Sequence, residues 1–350
     1  MGIGDRLLVA RKAKRYSMRE LAEIIGLSPM AISKYERDIS MPSSKVLMEL
    51  SKALDVSIEY FFRPMKVGVD LQAFRKHTTL LKKELESIQA SIQDWIERYL
   101  EVEQLFPSEV LSVSYPPIKI NSLQDAENLA YSLREEWNLG IDPIENFTQL
   151  LEDKGFLVGL VSGYDHFDAC TFRVNERLVI VSKNGLPGDR QRFNIGHELG
   201  HLLMDVNQYV DPEKAANVFV GSFLIPAESA RYELGEKRSD LSFRELLLLK
   251  QKYGVSMQAW IYRASELEII TSSRARELFK QIRMNGWYKE EPGIPFPAEE
   301  PMRMEKLIYR ALAEEIISRS RAQELLGKPL QLYWNIEALK GNDASIVIGD

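Results

Sequence analysis

Among 350 residues the chain has a single cysteine, Cys170. One cysteine closes no internal disulfide and excludes a cysteine-rich metal site. No apolar run approaches the roughly 20 residues that a membrane-spanning helix needs. The start, MGIGDRLLVARKAKR, lacks a basic-then-apolar segment with a small-residue cleavage site. The expectation is a cytoplasmic protein with no membrane partner. Histidine is scarce too, four in all, so any pair at metal-ligand spacing stands out.

The ordinary 45% hydrophobic and 27% charged content predicts folded domains, and the length predicts two or three of them. The net charge of −6 argues against wholesale coating of nucleic acid, but it is unevenly spread. Residues 1–65 hold eleven Lys/Arg against eight Asp/Glu, net +3, which leaves −9 for the remainder. That asymmetry suits a DNA-reading head on an acidic body.

Short helices with tight connections are predicted over 1–62. The first covers about 4–14. The second starts at Ser17, with Glu20 placed for a capping box, and ends at Gly26. Ser28-Pro29 starts a third as cap and first helical residue. A fourth spans 46–54, and a last turn spans 57–62. Ala22 at a helix crossing, Gly26 at the turn and Ile32 as anchor meet the needs of a helix-turn-helix, with Leu21 and Ile24/Ile25 as core.

The stretch SMRELAEIIGLSPMAISKYE, with the trailing ALDVSIEYFF, resembles the XRE-type DNA-binding domain over about 60 residues. The resemblance implies operator DNA as partner. It places Met30, Ala31 and Lys34 on the groove-facing side of the recognition helix, with Ser28 near its start. Lys34 suits guanine or phosphate, and Met30 and Ala31 suit thymine methyls. Ser17, Arg19 and Arg37 are candidate phosphate contacts. Arg11 and Glu36 match a structural salt bridge of that family.

From 66 to 106 apolar residues recur at spacings of three and four: Leu71, Phe74, Leu81, Leu85, Ile88, Ile92, Trp95, Tyr99, Val102 and Phe106, with Thr78 the interruption. This heptad stripe predicts a long helix. It serves either as a coiled-coil seam for a homodimer or as a face packed on its own chain. Pro107, Pro116 and Pro117 mark the next boundary. Helices are expected at about 123–137 and from Pro143, then β-rich runs at 156–162, 169–174 and 177–182, then a helix opened by Pro187. The chain reads as helical from there to about 285. Pro292, Pro295, Pro297 and Pro301 read as a second linker, followed by one amphipathic helix over about 304–326.

Within the helix after Pro187 lies His197-Glu198-Leu199-Gly200-His201. Residues four apart share a helical face, so the two imidazoles can address one ion while Glu198 lies beside them. With four histidines in the chain, chance produces such a motif on the order of 0.5% of the time. Zinc held by nitrogen and oxygen donors lowers the pKa of water to about 7, and Glu198 suits the general base that takes its proton. A catalytic site needs a third protein ligand. Glu213 opens the next helix, and Asp205, Asp211 and Glu228 compete with it.

RQRFNIGHELGHLL (190–203), Glu213 with Ala216-Asn217 and Phe219 ahead of Leu224-Ile225-Pro226, and YGVSMQAWIYRASEL (253–267) together resemble the ImmA/IrrE zinc metallopeptidases over about 120–285. The resemblance implies His197, His201 and Glu213 as ligands of zinc, with manganese as the alternative ion, and Glu198 as general base. Val220 and Gly221 depart from the family's frequent alanines. An oxyanion stabiliser is sought among Tyr209, His166 and Arg263. Cys170 reads as a small core residue.

The expected class is α+β: an all-α helix-turn-helix head (1–65), a long helical linker (66–115) that could dimerise, a mostly helical zincin-like domain with a small antiparallel sheet (116–285) and a helical C-terminal region (286–350). The expected function is a transcriptional regulator that cleaves a specific regulatory protein. The alternative is an antitoxin-like repressor whose zincin domain binds a toxin encoded nearby, or senses a ligand, without hydrolysis.

Overall fold

The computed structural model describes residues 2–63, 81–110, 113–174 and 176–330. The head comprises α1 (Gly4–Ala13), α2 (Met18–Ile24), α3 (Pro29–Glu36), α4 (Ser44–Leu54) and a 3₁₀ turn, Glu59–Phe62. Its helix starts follow from capping. Ser17 and Glu20 form the reciprocal capping box on α2, and the Ser28 hydroxyl accepts the Ala31 amide with Pro29 at the first helical position. Gly26 takes a φ of +70°, which ends α2 and turns the chain into α3. Leu7, Leu21, Ala22, Ile32, Leu50 and Leu54 fill the core. Ile24, expected inside, is 53% exposed; Ile25 packs on the core in its place.

The heptad stripe becomes α5 (Lys82–Leu105); Leu71, Phe74 and Thr78 lie outside the described residues. From Leu85 onward its apolar face is spent within the chain. Ile88, Ile92, Ile96 and Tyr99 pack on the sheet, and Val102 and Phe106 pack on the C-terminal helices. Each fully buried isoleucine contributes about 1.5–3 kcal/mol of apolar burial. This part of the stripe is therefore no coiled-coil seam.

Strands β2 (Leu157–Val161), β3 (Ala169–Val174) and β4 (Arg177–Lys183) form one sheet in the order β2-β4-β3. It is mixed, where an antiparallel sheet was expected. Strand β4 pairs antiparallel with β3 but parallel with β2, because the 162–168 connection carries the chain past β4 to its far side. The central strand is buried on both faces and hence apolar throughout: Leu178 and Ile180 face the main core, Val179 and Val181 face α5. A second, two-stranded parallel sheet joins β1 (Ile118–Ile120) to β5 (Met204–Val206); sequence periodicity gave no sign of these three-residue strands.

The main core lies on the opposite face of the large sheet from α5. It is built by α6 (Leu123–Glu136), α7 (Phe147–Asp153), α8 (Gly188–Leu203), α9 (Pro212–Leu224), α10 (Ala227–Leu234), α11 (Phe243–Tyr253), α12 (Met257–Glu266) and α13 (Ser272–Met284). Helix α7 begins at Phe147 and not at Pro143, because Asn146 caps it and the Glu299 carboxylate accepts the Phe147 and Thr148 amides at 3.0 and 2.7 Å. That carboxylate belongs to the proline-rich segment read as a linker. In fact the segment is docked: Gly188 N donates to Phe296 O at 3.0 Å, and Arg192 and Glu299 form a buried ion pair at 2.6 Å. The single C-terminal helix expected over 304–326 is two, α14 (Arg303–Ala313) and α15 (Arg319–Leu326). Glu315 at φ +56° breaks the run and Ser318 caps the restart.

Head and body are joined along α1 and α5. Arg6 and Glu97 form an ion pair with both side chains at 2% exposure or less. Ser87 Oγ lies 3.0 Å from Ala13 O and 2.8 Å from Tyr164 Oη. Arg15 donates to Gly163 O and covers the Tyr164 ring.

Candidate metal centre

Helix α8 carries the two histidines, and glycines bring α9 close enough to complete the set. A Cβ on Gly196 would lie 2.5 Å from Val220 Cγ2, and one on Gly200 would lie 3.0 Å from Phe219 Cδ1. Val220 and Phe219 are fully buried. The bare α8 backbone at 196 and 200 is thus what lets α9 pack against it. Val220 fills the space beside Gly196, while Gly221 has open space that an alanine would occupy without contact.

This packing places Glu213, at the start of α9, over the histidine pair. His197 Nε2 and His201 Nε2 are 3.0 Å apart. Glu213 Oε2 is 3.2 Å from the first, and Glu213 Oε1 is 3.4 Å from the second. Tetrahedral donors at zinc distances of about 2.0–2.1 Å lie about 3.3 Å from one another, so this trio fits such an ion. His197, His201 and Glu213 could hold a metal, with all their ligand atoms within 4.8 Å of one another.

A further residue completes the arrangement. Asn217 Oδ1 lies 3.0 Å from His197 Nδ1. As an acceptor it fixes the hydrogen on Nδ1 and leaves the Nε2 lone pair directed at the site. The signal is in the sequence, since Asn217 is one helical turn beyond Glu213 on the same face.

Glu198 is half-buried on α8. Desolvation, and then the charge of Glu213, push its pKa up to about 7. Across from it is Cys170, buried in β3, whose thiol is pushed well up by burial and then by the Glu198 charge. Cys170 packs with the sheet residues facing α5, as a small core residue does.

Of the competing ligands, Asp211 is committed elsewhere: it caps α9, accepting the Glu213 and Lys214 amides at 3.0 and 3.3 Å. Asp205 lies on β5 and Glu228 in the first turn of α10; neither belongs to the trio. Among the oxyanion candidates Arg263 is also committed, with Nε donating to Ile225 O at 3.0 Å and Nη2 paired with Glu127 at 2.6 Å. Tyr209 is 87% exposed, and His166 lies exposed in the 162–168 connection.

In the head, Ser17, Arg19, Ser28, Met30, Lys34 and Arg37 are exposed, and Ala31 is half-buried. The face of α3 that carries Met30 and Lys34 is open while α1 is docked on α5. Arg11 and Glu36 form a buried bidentate pair, with Arg11 Nη2 3.0 Å from Glu36 Oε2, and they hold α1 to α3.

Residues 8–61 match a family model described as helix-turn-helix, and residues 161–265 match one described as the IrrE N-terminal-like domain. The HTH-type transcriptional regulator ImmR of Bacillus subtilis (strain 168) is 31% identical over 94 residues, which is 70% of its length and 27% of this chain. The chain belongs to the XRE-type helix-turn-helix regulators. Two further relatives are matched over shorter shares. The HTH-type transcriptional regulator DicA of Escherichia coli (strain K12) is 31% identical over 64% of its length and 25% of this chain. The Repressor protein C2 of Salmonella phage P22 is 34% identical over 28% of its length and 17% of this chain. This XRE-type regulator thus carries an IrrE N-terminal-like domain behind its DNA-binding head. Among its described residues no helix is long and apolar enough to cross a membrane.

Proposed function

We propose that this regulator is a zinc-dependent endopeptidase that cleaves a specific regulatory protein and reads operator DNA through α3. The observation that carries the reading is the convergence of His197, His201 and Glu213 beside the Glu198 carboxyl. Zinc bound there would polarise a peptide carbonyl and make water acidic enough to supply hydroxide near neutral pH; manganese is the alternative ion. His197 and His201 would hold the ion through Nε2, Asn217 would hold the His197 tautomer, and Glu213 would supply the carboxylate ligand. Glu198 accepts the proton of the attacking water on a carboxylate oxygen and passes it to the leaving amine.

On DNA, Ser28, Met30, Ala31 and Lys34 face the bases, and Ser17, Arg19 and Arg37 contact phosphates. The work is cytoplasmic, as a bacterial operator requires. Pairing of two heads on a two-fold operator would use a surface other than the buried part of the α5 stripe. The divisions we propose are a head over 1–65, a helical linker over 66–115, a peptidase domain over 116–285 and a helical C-terminal region over 286–350.

The test is to incubate zinc-loaded wild type and Glu198→Gln with the product of the neighbouring gene and follow its mass. Cleavage by wild type alone supports the reading. Intact substrate in both, or cleavage that survives the substitution, leaves the non-catalytic, toxin-binding alternative.

A further inference from the structure

One basic stretch of the chain lies well outside the head. Residues 271–289 carry five Lys/Arg and one Asp/Glu, net +4, inside a body (66–350) of net −9. They form α13 and the turn after it, and they line a groove of about 860 Å³ against α12. From α13 come Arg276, Lys280 and Arg283, and from the flanks come Tyr262 and Tyr288; no Asp or Glu is among the lining residues. The three cations are exposed, and Tyr262 and Tyr288 are 63% and 52% exposed.

We propose that this groove is a second DNA-contacting surface, one that grips the phosphate backbone of duplex DNA alongside the site read by the head. Spacings of four and three put the cations on one face of α13 across about 10 Å of helix. A duplex offers a phosphate every 3.4 Å or so on each strand, so all three reach neighbouring phosphates. Tyr262 and Tyr288 add flat, amphipathic sides suited to sugars. Three exposed cations with no carboxylate among the residues that line the groove favour a polyanion. DNA is favoured over an acidic polypeptide because the head already tethers it, and tethering raises the effective concentration at a second contact.

The test uses the full-length protein and a long, labelled duplex of mixed sequence, with affinity measured across a salt series. The variant Arg276→Ala/Lys280→Ala/Arg283→Ala should lower the slope of log affinity against log salt by about 2–3, at roughly 0.9 per phosphate contact. Affinity near 0.1 M salt should fall about tenfold or more, uniformly across sequences. Arg276→Lys/Arg283→Lys, which keeps the charge, should stay near wild type. Removing three exposed cations elsewhere (Lys119→Ala/Lys237→Ala/Arg244→Ala) should change little. An unchanged slope in the folded triple variant overturns the proposal, as does an equal fall in the distant control, which would show a net-charge effect. Loss of binding to a polyglutamate peptide with DNA affinity intact also overturns it, and assigns the groove to an acidic protein partner.

Discussion

Asn217 and His197 meet across the α8–α9 contact, with Asn217 Oδ1 3.0 Å from His197 Nδ1. One helical turn separates Asn217 from Glu213, so α9 both completes the donor set and orients one of its members. Because Asn217 is exposed, its role can be separated from stability. Asn217→Ala should weaken zinc binding about 10–100-fold, as loss of a ligand's hydrogen-bond partner does, and leave the melting temperature nearly unchanged. Asn217→Asp should restore affinity. Competition against a chelating dye reads both variants.

The two glycines of α8 predict a packing cycle. In Gly196→Ala the new methyl would lie 2.5 Å from Val220 Cγ2, so the variant should lose about 1–3 kcal/mol through overpacking. Val220→Ala makes room, and the double variant should recover much of that loss. Denaturant unfolding of the four proteins gives the coupling. Additive effects would mean that α9 is not held against Gly196.

Burial of the Arg6–Glu97 pair, with both side chains nearly inaccessible, predicts an asymmetry. Glu97→Met alone strands a buried guanidinium and should cost about 3–5 kcal/mol, whereas Arg6→Met/Glu97→Met should be nearly neutral. Thermal unfolding should show the head uncoupling first in the single variant. Equal losses in single and double variants would show that the pair does not hold the head to α5.

The α2 capping box predicts a titration. Glu20 receives the Ser17 amide at 2.6 Å. That backbone bond first, then the Ser17 side chain and Lys83, lower its pKa from 4.5 to about 2. Its folded pKa lies below its unfolded one, so its contribution is full above pH 4.5 and is lost as the pH falls toward 2. Carboxyl NMR should place the Glu20 midpoint near 2 in the wild type. In Lys83→Ala it should rise only modestly, because the Ser17 bonds remain. A midpoint in the ordinary carboxylate range in the wild type would show the box open in solution.

Much of the head was legible in the sequence, because its boundaries rest on local chemistry: Ser17 and Ser28 as caps, Gly26 at the turn, and Ile32 as an anchor. The histidine pair was legible for a similar reason, since His197 and His201 share a helical face; Glu213 stood beside Asp205, Asp211 and Glu228 until the family resemblance singled it out. The fate of the α5 stripe was not. A heptad pattern specifies a face to bury and not the surface that covers it, and here the sheet and C-terminal helices cover it from Leu85 on. Glu299 was equally hidden, because it stabilises the start of a helix 152 residues earlier in the chain. Strands β1 and β5 escaped notice because three residues carry no periodicity.

The central claim is tested most directly by mapping new protein N-termini in cells that make the wild type or Glu198→Gln at equal levels. One or a few new termini are expected, all in DNA-binding regulatory proteins, present with the wild type and absent with Glu198→Gln. Identical terminus profiles in the two strains, or cleavage that persists without the Glu198 carboxylate, would contradict it.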